Sequence, residues 1–311
     1  MLHSMPESSP GNSSAVTPLN SSKRVVLLAT TMSSFLSPFA SSSINIALPE
    51  ISTTLSLDAV TLSWISTTYL LASAMFMIPF GRIADIYGRK RIFQYGIVVE
   101  VVASILCATA NSGAWLITFR TLQGVGSAMI FGTGVGMLSS AYPANERGKA
   151  LGINSAAVYS GLSLGPVIGG TMMEHFSWRS VFFLNALLGI IIAIAVFWKL
   201  KGDWTGARGE KLDYTGSIIY SLTLLSLIYG FSVLPGARGT GLIIVSIIGF
   251  IIFIRWEMRQ QFPVININLF RHNTVFALSN LTSLMRMTFI ISAAMCFIGI
   301  FTSIARGKTH S

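Results

Sequence analysis

Two charged side chains stand where apolar sequence leaves little room for charge. Glu100 lies near the middle of an apolar run at 92–110, and Arg120 lies well inside the next, at 114–138. A charged carboxylate is costly at such depth, so one chemistry open to Glu100 is taking up and releasing a proton. Equally open are a permanently protonated acid hydrogen-bonded between helices and a carboxylate facing a wet cavity. An arginine at the depth of Arg120 ordinarily faces a cavity or a partner. A third charged device is the stretch 81–91, with the four cations Arg82, Arg89, Lys90 and Arg91 around the single carboxylate Asp85. Asp85 can pair with Arg89 or Arg91, or bind a helix N-terminus through its dipole. The alternative is that these charges only fix topology. Gly81 and Gly88 permit a tight reversal there. Neither cysteine, Cys107 or Cys296, has ligand or disulfide spacing, and no nucleophile–base constellation or cofactor motif appears, so neither an enzyme nor a cofactor is expected.

The elements that must carry these residues follow from composition. The chain has 311 residues, 52% hydrophobic and 10% charged. Soluble domains are about 25% charged, so lipid is the expected solvent. Nine apolar runs approach the roughly 20 residues that a helix needs to cross a bilayer. They are 25–48, 62–80, 92–110, 114–138, 150–173, 178–200, 214–234, 241–254 and 275–304. The eighth is short unless Arg255 and Trp256 snorkel, and Arg286 interrupts the ninth. Residues 1–22 are rich in Ser, Pro and Asn and read as a disordered tail. With the N-terminus inside, the inner segments hold 15 of the 21 cations, whereas the opposite orientation inverts the bias. The net charge of +10 is therefore explained by topology, and no nucleic-acid partner is expected. The chain reads as an all-α polytopic protein of the plasma membrane, with a cytoplasmic N-terminus.

Small residues recur every fourth position in two runs. Gly124, Ala128, Gly132 and Gly136 make one smooth face, and Gly161, Gly165 and Gly169 make another beside Pro166. Such faces let helices or a substrate approach closely, and Pro166 removes a backbone hydrogen bond and kinks its helix. In the first run, Pro38, Asn45 and several serines give a polar helix able to line a cavity.

Taken in order, these segments resemble the major facilitator superfamily, specifically the fourteen-span drug:proton antiporters of the EmrB/QacA kind. The stretch 81–91 is similar to that family's loop between spans two and three. Arg120-Thr121-Leu122-Gln123-Gly124-Val125-Gly126 resembles its span-four arginine motif, and 161–170 its span-five antiporter motif. Asn45-Ile46-Ala47-Leu48-Pro49, the stretch 178–185 and Leu212-Asp213-Tyr214-Thr215-Gly216 match the end of span one and the starts of spans six and seven. The resemblance implies a six-span bundle at 23–200, two extra spans at 201–273 and a partial or altered ninth span with a basic tail at 274–311. It implies proton-coupled efflux of drug-like or other small organic compounds. Conformational coupling is expected of Arg120, Asp85, Gly81, Gly88 and Arg89, with Glu100 added from its depth alone. A substrate cavity is expected to draw on Asn45, Gln123, Gly161, Gly165 and Pro166. Where the family carries an acid in span one, this chain has Ala40. The family also runs on to fourteen spans, and alternating access needs two halves. The chain is accordingly expected to be C-terminally truncated, inactive alone, and partnered by a second polypeptide or a second copy of itself. A specific metabolite is the alternative cargo.

Overall fold

The computed structural model describes residues 23–260 other than 204 and 208, together with 262–264. Eight helices follow one another: α1 (Lys23–Leu55), α2 (Ala59–Tyr87), α3 (Arg89–Ala108), α4 (Gly113–Ala141), α5 (Ala144–His175), α6 (Arg179–Lys199), α7 (Tyr214–Ser232) and α8 (Ala237–Glu257). All eight are long and apolar enough to cross a membrane, and the described residues contain no strand. This is the all-helical polytopic fold expected from composition. The ninth run at 275–304 and the tail at 1–22 lie outside the described residues.

Local chemistry sets several of the helix starts. Ser112 caps α4, its side chain accepting from the Trp115 N–H, and Asp213 caps α7, accepting from the Gly216 N–H. Pro143 precedes α5, where its missing N–H costs nothing. At 1.5 Å per residue the 33-residue α1 spans roughly 50 Å, well beyond the roughly 30 Å apolar core of a bilayer. The first run was expected to stop at 48, before Pro49, yet α1 continues to Leu55. Asn45 and Pro49 are both exposed, so the Asn45 carbonyl freed by the proline faces outward. The eighth run also grows, from the expected 241–254 to Ala237–Glu257, because Gly236 starts the helix earlier and Trp256 finds a partner in Asp213 at 2.9 Å.

Packing pairs α1 with α5 and α2 with α4, while α3 lies against both α4 and α6. α7 and α8 form a separate hairpin that meets the bundle through α2. Two apolar clusters hold the bundle. One includes Val26, Leu36, Phe93, Ile97, Ile130 and Val196. The other includes Ile44, Ile51, Ile65, Leu116, Trp178 and Phe182. Along each of α1, α3, α4 and α6, the positions between the clusters hold buried polar residues: Ser37, Glu100, Ser104, Arg120, Gln123 and Asn185; Tyr69 of α2, one turn beyond Ile65, is buried with them. The apolar clusters thus enclose a polar layer at mid-height.

Candidate functional site

Arg120 is 0% exposed and anchors this layer. Its Nε donates to the Ile65 carbonyl at 3.2 Å and its Nη1 to Gln123 Oε1 at 2.7 Å. Its guanidinium lies 4.4 Å from the centre of the Tyr69 ring, a cation–π contact in a desolvated setting. Tyr69 in turn donates its hydroxyl to the Ser37 carbonyl at 2.9 Å, which brings in α1. Gln123 passes the chain on through Nε2 to Ser104 Oγ at 2.8 Å. Asn185 of α6 donates to the same oxygen at 2.8 Å and reaches Glu100 Oε1 at 3.5 Å. Five helices therefore meet in one enclosed network carrying one cation and one carboxyl. A buried charge is tolerated only with such partners.

The second charged centre lies at one end of the bundle. The expected reversal across 81–91 collapses to a single residue. α2 continues to Tyr87 and α3 begins at Arg89, with Gly88 alone between them at φ 118°. Only glycine adopts that backbone readily. Gly81 is not part of the turn; it sits inside α2, where an added Cβ would lie 3.2 Å from the Gly132 carbonyl of α4. Its small size serves helix–helix approach, with Gly132 supplying the opposite surface. Arg89 donates to Asp85 Oδ1 at 2.6 Å, to the Gly136 carbonyl at 2.7 Å and to Ser140 Oγ at 2.6 Å. The turn is thereby tied to the end of α4.

The connection between α6 and α7 lies across this turn. Its Gly206 and Ala207 N–H groups donate to the Asp85 carbonyl at 3.0 and 2.9 Å. Glu210 pairs with Arg82 at 2.5 Å and Asp203 with Arg91 at 3.1 Å. Asp203 Oδ1 also accepts from the Lys90 N–H at 3.3 Å. At this same end Lys23 meets Glu146 at 3.0 Å, and Tyr142 donates to the Lys23 carbonyl at 3.0 Å. The charge bias read along the chain is thus a spatial gathering of cations and their acids on one face of the bundle.

The residues expected to wall a cavity occupy several different settings in the bundle. Gln123 is 0% exposed and spends both amide atoms on Arg120 and Ser104. Gly161 and Gly165 are buried against α1: a Cβ at Gly161 would lie 2.5 Å from the Phe35 carbonyl, and one at Gly165 would lie 3.0 Å from the Ser43 nitrogen. Ser42 Oγ donates to the Gly161 carbonyl at 3.2 Å, across the same seam. The fourth-residue spacing of these glycines therefore serves backbone approach between α1 and α5. Pro166 is half-buried, and Asn45 is exposed and accepts from Ser66 at 3.3 Å. Sequence reading passed over Ser104, Asn185 and Tyr69 as site residues, and gave Asp203 and Glu210 no role. The available signal was polar residues inside apolar runs, but many such residues only bond their own helix, as Thr121 does.

Residues 30–309 match the family described as Major Facilitator Superfamily. The riboflavin transporter RibZ of Clostridioides difficile (strain 630) is 33% identical over 239 residues, covering 76% of this chain and 51% of RibZ. The multidrug resistance protein Stp of Mycobacterium tuberculosis (strain CDC 1551 / Oshkosh) is 27% identical over 299 residues, covering 94% of this chain and 55% of Stp. Among solved structures, the peptide transporter POT bound to sulfate aligns with a TM-score of 0.57 at 18% identity, covering 76% of this chain and 52% of that one. That likeness is one of fold. The chain spans about half the length of the curated relatives it matches.

Proposed function

Because this chain belongs to the Major Facilitator Superfamily, and is therefore a multi-pass membrane protein, we propose that it serves proton-coupled export of drug-like or other small organic compounds, within the fourteen-span branch. Residues 23–200 are its six-span half, and α7 and α8 are the two extra spans. The N-terminus faces the cytoplasm, supported by the gathering of cations at the Lys23, Arg89 and Lys211 end. No substrate chemistry is involved, only movement. The observation that carries the reading is Arg120, a cation enclosed at mid-height by groups from α2, α3 and α4. Such a charge is expensive in a membrane bundle and is retained where it couples ions or cargo to helix movement. The Asp85–Arg89 pair beside Gly88 is the matching device at the bundle end, where α2 and α3 must move together.

Resemblance to multidrug resistance proteins such as Stp favours a broad range of cargo. Resemblance to RibZ favours the alternative of one defined metabolite. Transport assays in inverted vesicles, with and without the chain and with and without an uncoupler, separate the two. Uncoupler-sensitive accumulation of cationic dyes is expected when the chain is joined by the second six-span half that alternating access requires. Movement of riboflavin but of no dye would select the metabolite reading, and no gradient-dependent movement of either with that second half present would reject the transport reading.

A further inference from the structure

The polar layer leaves four hydrogen-bonding positions unmet among the described residues, one of them the Ser37 hydroxyl on α1, and the other three lie along the network that joins α3, α4 and α6. Among the described residues, Glu100 Oε2, Asn185 Oδ1 and Arg120 Nη2 are buried without a hydrogen-bond partner. Ser104 is saturated: its hydroxyl donates to the Glu100 carbonyl at 2.7 Å and accepts from both Gln123 and Asn185. An ionised carboxylate offers about four acceptor sites, yet the hydrogen bond that Glu100 receives from Asn185 Nδ2 is long, at 3.5 Å, with the Gln123 amide as its other polar neighbour. A protonated carboxyl would need an acceptor, and the unmet Asn185 Oδ1 belongs to the same amide. Rotating that amide exchanges its donor and acceptor ends. Asn185 can therefore serve either protonation state of Glu100.

We infer that the Glu100 carboxyl is a proton-binding site, and that the Asn185 amide reports its state through Ser104 and Gln123 to Arg120. One proton from water adds to a carboxylate oxygen and forms an O–H bond. The charge changes from −1 to 0, and the reverse step returns the proton to water; nothing is oxidised or reduced. With Glu100 ionised, Arg120 has a counter-charge within the layer. With Glu100 neutral, Arg120 is an uncompensated enclosed cation, which favours conformations that open the layer to water. Turning the amide toward the protonated acid also withdraws its donor from Ser104, so the signal passes along hydrogen bonds as well as through the field. The titratable groups that interact with Glu100 are Arg120 on α4, whose charge acts on it, and the neutral Tyr69 on α2 and Cys107 on α3 itself; α6 contributes the uncharged Asn185. The helices are in backbone contact at this level, since a Cβ at Gly126 would lie 2.7 Å from the Glu100 nitrogen. The use of this proton in antiport rests on the proposed function; the binding of the proton does not.

Infrared difference spectroscopy on the purified full chain in lipid tests it. The pH is stepped through neutrality for wild type, Glu100→Gln, Glu100→Asp and Asn185→Leu. A protonated-carboxyl C=O band that grows as pH falls and shifts in D2O is expected in wild type. It should be lost in Glu100→Gln, return at a different midpoint in Glu100→Asp, and change frequency in Asn185→Leu. A Glu100 band constant at every pH, or the absence of any band that Glu100→Gln removes, would overturn the inference. So would a titrating band whose frequency ignores Asn185, as to the reporting role. Should Glu100→Gln fail to fold, Glu100→Asp and Asn185→Leu still decide. A titrating band together with uncoupler-insensitive dye movement would reject antiport while keeping the proton site.

Discussion

Neutralising the two acids of the α6–α7 connection, as Asp203→Asn with Glu210→Gln, should release that segment from the Asp85–Gly88–Arg89 turn. The Arg82–Glu210 pair is short at 2.5 Å, with side chains 14% and 35% exposed. It belongs near the top of the range for surface pairs, about 1 kcal/mol. The Arg91–Asp203 pair has a 70% exposed arginine and contributes about 0.3 kcal/mol. Asp203 also accepts a long bond from the Lys90 N–H, which the asparagine amide oxygen can keep. Together the two pairs make about 1.3 kcal/mol, and 1.4 kcal/mol is a factor of ten, so the undocked population should rise about eightfold. The Gly206 and Ala207 amides report it directly, because their hydrogen bonds to the Asp85 carbonyl exist only when the segment is docked. Hydrogen–deuterium exchange of a peptide spanning 202–212 should show protection falling by about that factor in the double variant. Added salt should erode wild-type protection in the same direction. Glu146→Gln, which removes the exposed Lys23 pair on the same face, should leave these amides unchanged. A change of less than about twofold in the double variant would refute the argument, leaving the two backbone bonds and Ala207 burial to hold the segment alone.

Two further outcomes are expected. In a preparation that shows gradient-driven transport, Arg120→Ala should abolish it, and Arg120→Lys should restore it only in part. A lysine cannot reproduce the planar fork that reaches Ile65 and Gln123 while stacking on Tyr69; normal transport by the alanine variant would reduce Arg120 to a packing role. Cysteines replacing Lys90 and Lys211 should resist a membrane-impermeant thiol reagent added outside intact cells, while one replacing Asp58 should react, and the reverse pattern would invert the topology.

Much of this architecture is legible without coordinates. Hydropathy and run length are local properties, and a bilayer reads them locally, so the eight helices and the clustering of cations follow from the chain itself. The depth of Glu100 and Arg120 is likewise a matter of counting along a run. What tertiary structure alone decided is partnership. Asn185 lies 85 residues from Glu100, and only the rotation of α6 against α3 turns its amide toward the carboxyl. Glycine at 81 and glycine at 88 look equivalent in sequence, yet one packs helix on helix and the other makes the turn, because only the second stands where the chain reverses. Gly161 and Gly165 suit a cavity wall or a close seam equally well, until α1 is laid against them. Asp203 and Glu210 carry no local sign of a partner, and only the fold brings their loop back onto Arg91 and Arg82. Helix existence depends on how each segment meets lipid, whereas the site depends on which faces of distant helices meet each other, and no local periodicity encodes that choice.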